Sequence, residues 1–278
     1  MSLFAECVEI KCTIKTSSFL AKDKWCCQWE KMMLRLENVT YLNRIIDFSH
    51  CFYPGQCYVL FGINGAGKSS LFDAISGQLS KRHLQGRILL NQQDIELLSA
   101  KQRACCIATL SQSTTLAFPY SAQEVIDMGR YASGISKRAA KPVFDETVEQ
   151  LKLTPCLDLP YYKLSGGQKQ RVQLARVVFQ LIADKNRNTE RWLLLDEHTA
   201  HLDIYQQYQS FSFIRRLLKN HNVGLIASVH DIHLAASFAD LALLIHQGQK
   251  IHAGALKDVL VSPEFFDCFK IRVRIESN

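Results

Sequence analysis

The segment that most constrains this chain is a glycine-rich stretch at residues 62–69, with the sequence GINGAGKS. It fits the pattern G-x-x-x-x-G-K-[ST], follows a short apolar run at 57–61 and precedes a helical stretch that reaches Gly77. Strand, loop and helix in this order form a phosphate site, because the glycines turn backbone N–H groups toward phosphate oxygens and the helix N-terminus adds positive charge. The alternative, a glycine turn with an incidental Lys-Ser, does not need that context.

The loop predicts a nucleoside triphosphate as the ligand. Lys68 is expected to reach the β and γ phosphates, and the Ser69 hydroxyl is expected to bind Mg²⁺. The predicted phosphate-binding residues are Gly62, Ile63, Asn64, Gly65, Ala66, Gly67, Lys68, Ser69 and Ser70.

Two carboxylates follow a second apolar run, residues 192–195. This run has no polar alternation, which is typical of a central strand covered on both faces. Ligands of parallel sheets bind at the carboxyl ends of the strands, so Asp196 is expected to bind Mg²⁺ and Glu197 to accept a proton from the attacking water. Without the phosphate loop, the pair could equally be a strand cap.

Short apolar strands alternate with helical stretches, which predicts an α/β fold with a mainly parallel sheet. Capping boxes at Ser121 and Ser165 predict the starts of two helices, and the region from about Gln112 to Lys163 is predicted to be a helical lobe inserted into the core. The predicted strands span residues 34–39, 57–61, 103–110, 192–195, 223–229 and 241–246.

Composition excludes several classes of protein. The chain has 278 residues, 47% of them hydrophobic and 21% charged, which are globular values rather than those of a disordered chain. No apolar run approaches the roughly 20 residues that cross a bilayer. The net charge of +7 suits anionic ligands or an anionic membrane surface. The 10 cysteines have no metal-site spacing and are interpreted as free thiols, with a disulfide or zinc framework as the alternative.

Residues 1–32 differ from the rest of the chain. They contain four cysteines, no clear period and no apolar core of the kind that a signal peptide has. We predict that the folded domain spans 33–278, and that residues 1–32 are an extension, either a tail or a product of a start assigned too early, with Met32 or Met33 as the true start.

The motifs together resemble those of the ATP-binding-cassette (ABC) ATPase family. The decisive segment is LSGGQ at residues 164–168, which resembles the family's signature and lies between the phosphate loop and the Asp-Glu strand, as the family order requires. Gln112 matches the family's Q-loop glutamine, His230 its switch histidine, and Leu202-Asp203 the end of its D-loop. The resemblance covers roughly residues 34–275.

The resemblance implies a P-loop ATPase core with a mainly parallel sheet, an antiparallel β subdomain and a helical subdomain inserted at about 113–180. It implies ATP and Mg²⁺ as ligands, with Ser69, Gln112 and Asp196 on the metal, and Glu197, His230 and Gln112 as catalytic residues. The family forms an ATP sandwich dimer in which the signature of one copy binds the γ-phosphate on the other. The signature residues here are Ser165, Gly166, Gly167 and Gln168.

Single residues also have simpler interpretations. Gln112 could be a polar residue of a surface loop, and His230 a histidine at a strand end. Tyr41 lies 27 positions before Lys68, where the family often has an aromatic that stacks on the base, but it could also pack beside a strand.

Two residues depart from the family pattern. His198 stands where the family usually has a proline after the catalytic glutamate, and His201 lies in the D-loop. Because histidine does not restrict φ as proline does, we expect a looser loop and an effect on hydrolysis more than on ATP binding. With His230 and His233 these residues form two H-x-x-H pairs, for which a metal or pH-sensing role is the alternative.

Residues after the Q-loop, such as Phe118, Glu124 and Met128, resemble the ATPases of importers for haem, ferric siderophores and cobalamin, and residues 192–207 are most similar to the haem group. This implies an ATPase for haem import, with siderophore or cobalamin import as the near alternative.

The resemblance also implies the partners of the chain, which are a second copy of itself, two permease subunits and a periplasmic or lipoprotein binding protein. The chain itself is expected at the cytoplasmic face of the inner membrane. A non-transport ABC ATPase and a cassette with little turnover are further alternatives. No basic stripe indicates nucleic acid.

Overall fold

A computed structural model describes the backbone of residues 8–13 and the whole of residues 33–111, 118–184, 189–198 and 202–276, apart from single side chains. Its strands and helices follow one another in a mixed α/β order. The strands are β1 (Val8–Thr13), β2 (Leu34–Tyr41), β3 (Ile45–Phe52), β4 (Cys57–Phe61), β5 (Leu84–Leu90), β6 (Gln93–Asp94), β7 (Ile107–Leu110), β8 (Arg191–Asp196), β9 (Val223–Ser228), β10 (Leu241–His246), β11 (Gln249–Ala255) and β12 (Ile271–Glu276). The helices are α1 (Lys68–Ser76), α2 (Ala100–Cys106), α3 (Ala122–Asp127), α4 (Lys137–Gln150), α5 (Gly166–Ile182), α6 (Ile204–His221), α7 (Ile232–Phe238), α8 (Leu256–Leu260) and α9 (Pro263–Phe269).

A six-stranded sheet in the order β11-β10-β4-β9-β8-β7 forms the centre of the fold. Its strands are parallel except for β11, which pairs antiparallel with β10. The predicted α/β fold with a mainly parallel sheet is therefore confirmed. The carboxyl ends of β4, β8 and β9 lie at one edge, which places the loops that follow them side by side.

Both faces of the central sheet are buried. In β8, Leu193 and Leu195 face the cluster formed by helices α3 to α7, whereas Trp192 and Leu194 face the cluster that contains α1 and the antiparallel sheet. Every residue of β8 is buried, as the unalternating apolar run predicts.

A second, antiparallel sheet has the order β3-β2-β5-β6. Leu34, Leu36 and Phe52 of this sheet pack with Phe72 of α1 on one side of the central sheet. This sheet is the antiparallel β subdomain that the family resemblance implies.

Five of the six predicted strands agree with the structure to within two residues at each end, but the prediction of a strand over residues 103–110 is wrong in its first half. There, α2 continues to Cys106 and β7 begins only at Ile107. The physical reason is a capping box: Ser99 accepts a hydrogen bond from the Gln102 N–H, and the Gln102 side chain accepts one from the Ser99 N–H.

Helices α3, α4 and α5 lie between β7 and β8 along the chain. The capping boxes predicted at Ser121 and Ser165 are both present, with Glu124 and Gln168 as the reciprocal acceptors. Residues 112–117, which contain Gln112, lie outside the described residues.

Strand β1 pairs in parallel with β12, so that Val8 lies opposite Ile271 and Thr13 opposite Glu276. The two strands form a separate two-stranded sheet beside α7. Part of the N-terminal segment thus pairs with the C-terminal end of the chain. The six cysteines of the described side chains form no disulfide.

No helix within the described ranges is both long and apolar enough to cross a membrane.

Candidate functional site

The glycine-rich loop joins the end of β4 to the start of α1, and its glycines are needed for its path. Gly67 has φ 107°, and a Cβ atom there would lie 2.3 Å from the carbonyl oxygen of Arg44. Gly65 also has a positive φ, of 80°. A Cβ atom on Gly62 would lie 2.5 Å from the carbonyl oxygen of Ile245. Only glycine fits these positions, because other residues meet either a positive φ or the neighbouring backbone.

Lys68 begins α1 and folds back over the loop. Its Nζ atom donates to the Gly62 carbonyl oxygen at 2.8 Å and to the Ile63 carbonyl oxygen at 3.3 Å. Burial lowers the pKa of Lys68, and the carboxylates of Glu197 and Asp196 oppose that shift. The side chain is only 6% exposed, so a cation lies inside the loop, where a phosphate would bind.

Asp196 ends β8 and Glu197 follows it. Asp196 is buried, and its Oδ1 atom accepts a hydrogen bond from the Ser228 hydroxyl at 2.7 Å. Burial raises the pKa of Asp73 on α1, and Asp196 adds to that effect. The carboxylates of Asp196 and Asp73 create a negative region beside the phosphate loop, which favours a cation there.

Glu197 lies between two basic side chains. Its Oε1 atom is 2.7 Å from His230 Nε2 and 3.9 Å from Lys68 Nζ. The Glu197 backbone has φ 47°, in the left-handed region, and its N–H donates to the Ser228 hydroxyl at 3.0 Å. The structure thus brings the predicted base, the switch histidine and the loop lysine together at one edge of the sheet.

His230 follows β9 by two residues and precedes α7. Asp231 caps α7 by accepting hydrogen bonds from the N–H groups of His233 and Leu234, at 2.8 and 3.2 Å. The N-cap of the helix is therefore the residue directly after His230, which holds the histidine at the strand end facing Glu197.

His198 and its neighbour Phe211 belong to the core. The His198 side chain is buried, its ring centroid is 4.9 Å from that of Phe211, and burial lowers its pKa to about 3. Within the described residues, no group of three or more His, Cys, Asp or Glu side chains could hold a metal ion. His201 of the predicted H-x-x-H pair lies outside the described residues.

The signature residues lie at the start of α5. Ser165 and Gln168 bond to each other: the Gln168 N–H donates to Ser165 Oγ at 3.3 Å, and the Ser165 N–H donates to Gln168 Oε1 at 2.9 Å. Ser165 and Gly166 are exposed, so the N-terminal turn of this 17-residue helix faces solvent. Its first N–H groups form a second potential anion site.

Tyr41 ends β2 and packs, partly exposed, against the core beside the antiparallel sheet. The Arg44 N–H donates to the Tyr41 carbonyl oxygen at 3.0 Å, in the turn whose Arg44 carbonyl lies against Gly67. Tyr41 thus belongs to the turn that contacts the phosphate loop, and base stacking stays a prediction.

Sequence reasoning gave Ser228 no role, although its hydroxyl contacts both Asp196 and Glu197. Its signal was a single hydroxyl at the end of an otherwise apolar strand. Its importance depends on the strand pairing, which the sequence does not specify.

The family model described as ABC transporter matches residues 45–200, more than half of the chain. The chain is 35% identical over 227 residues to the hemin import ATP-binding protein HmuV of Pseudoalteromonas translucida, a match that covers 81% of this chain and 86% of that protein. It is 37% identical over 206 residues to HmuV of Shewanella denitrificans, covering 74% and 79%.

Solved structures agree on the fold. The ATP-binding subunit of an ABC transporter superposes with a TM-score of 0.71 at 20% identity, covering 82% of this chain and 92% of that one. A nucleotide-free ATP-binding cassette also gives 0.71, at 22% identity, covering 85% and 98%. The chain therefore belongs to the ATP-binding subunits of the ABC transporter family, and it is an ATPase.

Proposed function

We propose that this chain is the ATP-hydrolysing subunit of an ABC importer that takes up haem through a separate membrane permease. The observation that carries the hydrolytic part is the cluster of Lys68, Glu197 and His230 beside the phosphate loop. The cargo is supported by the relatives named hemin import ATP-binding protein, which are 33–37% identical over most of their length.

The phosphate loop would bind the β and γ phosphates of ATP through its backbone N–H groups and Lys68. Lys68 now donates to two loop carbonyls, and phosphate oxygens would replace these acceptors. Ser69, Gln112 and Asp196 would hold Mg²⁺, which neutralises charge on the phosphates when bound. The buried Asp196 carboxylate and the raised pKa of Asp73 beside it fit a cation at this position.

Glu197 would accept the proton of the attacking water, and Gln112 would help to place that water. His230, whose Nε2 atom is 2.7 Å from Glu197 Oε1, would hold that carboxylate and would contact the γ-phosphate once ATP is bound. Glu197 has a positive φ, and in this conformation its carboxylate lies 2.7 Å from His230 Nε2 and 3.9 Å from Lys68 Nζ.

A second copy of the chain would complete each site. The described chain has one phosphate loop and one signature, and at the start of α5 Ser165 and Gly166 lie exposed and Gly167 is half-buried. These residues would bind the γ-phosphate held by the partner copy, so that ATP joins the two copies and hydrolysis separates them.

The permease would dock on the helical lobe. The Ala122 N–H donates to the Leu159 carbonyl oxygen and the Tyr161 N–H to the Tyr120 carbonyl oxygen, which places residues 118–122 beside 157–161. Phe118 and Leu159 on these two segments are 66% and 45% exposed, and Tyr162, directly after the second segment, is 61% exposed. Exposed aromatic side chains on adjacent segments are typical of a protein interface.

This docking would place the chain at the cytoplasmic face of the inner membrane, where a periplasmic or lipoprotein binding protein would deliver haem to the permease. The ATPase domain would begin at residue 33, with residues 1–32 as an extension. The intact mass of the protein from its native source tests that boundary, since a mass matching residues 1–278 excludes a later start.

Transport is tested with the chain and its permease in vesicles. We expect ATP hydrolysis to be stimulated by the haem-loaded binding protein, and haem to accumulate only with ATP. Stimulation by a ferric siderophore or cobalamin instead of haem would assign that compound as the cargo. Hydrolysis without any association with the permease would overturn the proposed role in transport.

Docking is tested separately with Tyr162→Asp and a matched control, Leu97→Asp. Leu97 is 79% exposed on the antiparallel subdomain, so its substitution adds the same charge elsewhere. We expect only Tyr162→Asp to reduce co-purification with the permease, while both variants still bind ATP. Equal co-purification would show that the lobe is not the docking surface.

A further inference from the structure

Ser228 is the last residue of β9, and it pairs in register with Asp196 at the end of β8. Its side chain is fully buried, although the other residues of β9 are apolar or glycine. A buried hydroxyl is costly unless it is hydrogen-bonded. The Ser228 hydroxyl, beside the carboxylates of Asp196 and Glu197, is therefore expected to form hydrogen bonds.

The hydroxyl makes two hydrogen bonds of opposite direction. It donates to Asp196 Oδ1 at 2.7 Å, and it accepts from the Glu197 N–H at 3.0 Å. A hydroxyl has one proton, and the carboxylate can only accept, so the direction of both bonds is determined. One hydroxyl thus bridges the Asp196 side-chain carboxylate and the backbone N–H of Glu197.

These bonds act at a backbone position that needs support. Glu197 has φ 47°, which a residue with a side chain rarely adopts and which persists only where surrounding contacts maintain it. The Ser228 hydroxyl holds the N–H of that residue. The same conformation directs the Glu197 carboxylate to within 2.7 Å of His230 Nε2.

We infer that Ser228 is a positioning residue for ATP hydrolysis, whose hydroxyl holds the Asp196 carboxylate and the Glu197 backbone in one arrangement. This inference rests on the roles proposed for Asp196 and Glu197. Ser228 acts through these two residues and does not itself contact the nucleotide. A displacement of about 1 Å in a reacting group can cost about 100-fold in rate.

A purely structural role is the competing explanation, and the pair Ser228→Thr and Ser228→Val separates the two. Threonine and valine have nearly the same shape, so both add the same bulk at the buried position, but only threonine keeps the hydroxyl. The full chain with its permease is assayed for phosphate release over a range of ATP concentrations, at a temperature well below the unfolding midpoint of each variant.

We expect kcat of Ser228→Val to be about 10- to 100-fold below that of Ser228→Thr, with KM for ATP within about twofold, because the phosphate loop is untouched. Equal kcat values for the two folded variants would overturn the inference. If Ser228→Val does not fold, Ser228→Ala replaces it, since alanine adds no atoms; a wild-type kcat for Ser228→Ala would overturn the inference equally.

Glu197→Gln, assayed in the same experiment, tests the role proposed for Glu197 separately from the role inferred for Ser228. If it hydrolyses ATP as the wild type does, the role proposed for Glu197 is wrong, whatever Ser228 shows. If it is inactive while the valine and threonine variants of Ser228 have equal kcat, the site assignment stands and Ser228 is only structural.

Discussion

Replacing Glu197 with glutamine removes one charge from the site and leaves its shape unchanged. Glu197 Oε1 is 2.7 Å from His230 Nε2 and 3.9 Å from Lys68 Nζ, and the side chain is 23% exposed. Glutamine can occupy the same space and keep one hydrogen bond to the histidine. It cannot accept a proton from water, and it no longer attracts Lys68.

The expected magnitude follows from these two losses. A general base contributes about 10²- to 10⁴-fold to the rate, which equals about 3 to 5 kcal/mol in the barrier at about 1.36 kcal/mol per decade. The attraction between Lys68 and Glu197 amounts to about 4 kcal/mol at an effective dielectric constant of about 20, before desolvation is counted. Its removal frees Lys68 for phosphate and removes a negative neighbour of the γ-phosphate, so ATP affinity should not fall.

We therefore expect Glu197→Gln to bind ATP at least as tightly as the wild type, to release phosphate at least about 100-fold more slowly, and to accumulate as an ATP-bound dimer. Phosphate release with the permease and the apparent mass in ATP-containing buffer measure these outcomes. Glu149→Gln, on the exposed side of α4, is the matched control for the loss of one negative charge. Turnover within about twofold of the control would refute the base role, because a general base is worth far more.

Three further predictions concern single positions. Gly67→Ala should abolish ATP binding and lower the unfolding midpoint, since its Cβ would lie 2.3 Å from the Arg44 carbonyl oxygen at φ 107°; normal nucleotide binding in a fluorescence titration would contradict this. Ser165→Ala and Ser121→Ala each remove the N-cap of a capping box and should each lower the free energy of unfolding in urea by about 1 kcal/mol. Only Ser165→Ala should prevent ATP-dependent dimerisation. Equal dimerisation of the two variants would exclude the signature role. Burial, and to a smaller extent Lys250, lowers the pKa of His50 from 6.5 to about 4, so the folded state favours the neutral form and stability falls as the pH drops below about 6.5. His50→Phe should therefore lose about 2 kcal/mol less stability than the wild type between pH 7 and pH 5. An equal loss for both proteins in urea unfolding at the two pH values would disprove the assignment.

The position of the phosphate loop between a strand and a helix could be predicted from the sequence because all of its parts are contiguous. The loop, its lysine and the first turn of α1 lie within a few residues, so their geometry depends on local backbone conformation. The capping boxes at Ser121 and Ser165 could be predicted for the same reason, since both partners of each lie three residues apart.

Prediction was less accurate where two local signals competed. Residues 103–106 are apolar enough for a strand, yet the cap at Ser99 and Gln102 extends a helix through them, and only Ile107 onward pairs with β8. The sequence left a metal or pH-sensing role open for His198 as an alternative, and only the tertiary structure shows that its ring is buried against Phe211.

The sequence by itself determined the order of the motifs and therefore the family, because each motif is a short run whose residue types specify its chemistry. Only the tertiary structure decided which distant residues meet. The register of β8 with β9 places Ser228 opposite Asp196, and the start of α7 holds His230 facing Glu197. Such contacts join residues more than 30 positions apart, and they depend on the pairing of whole strands in the folded sheet, which no local run of residues encodes.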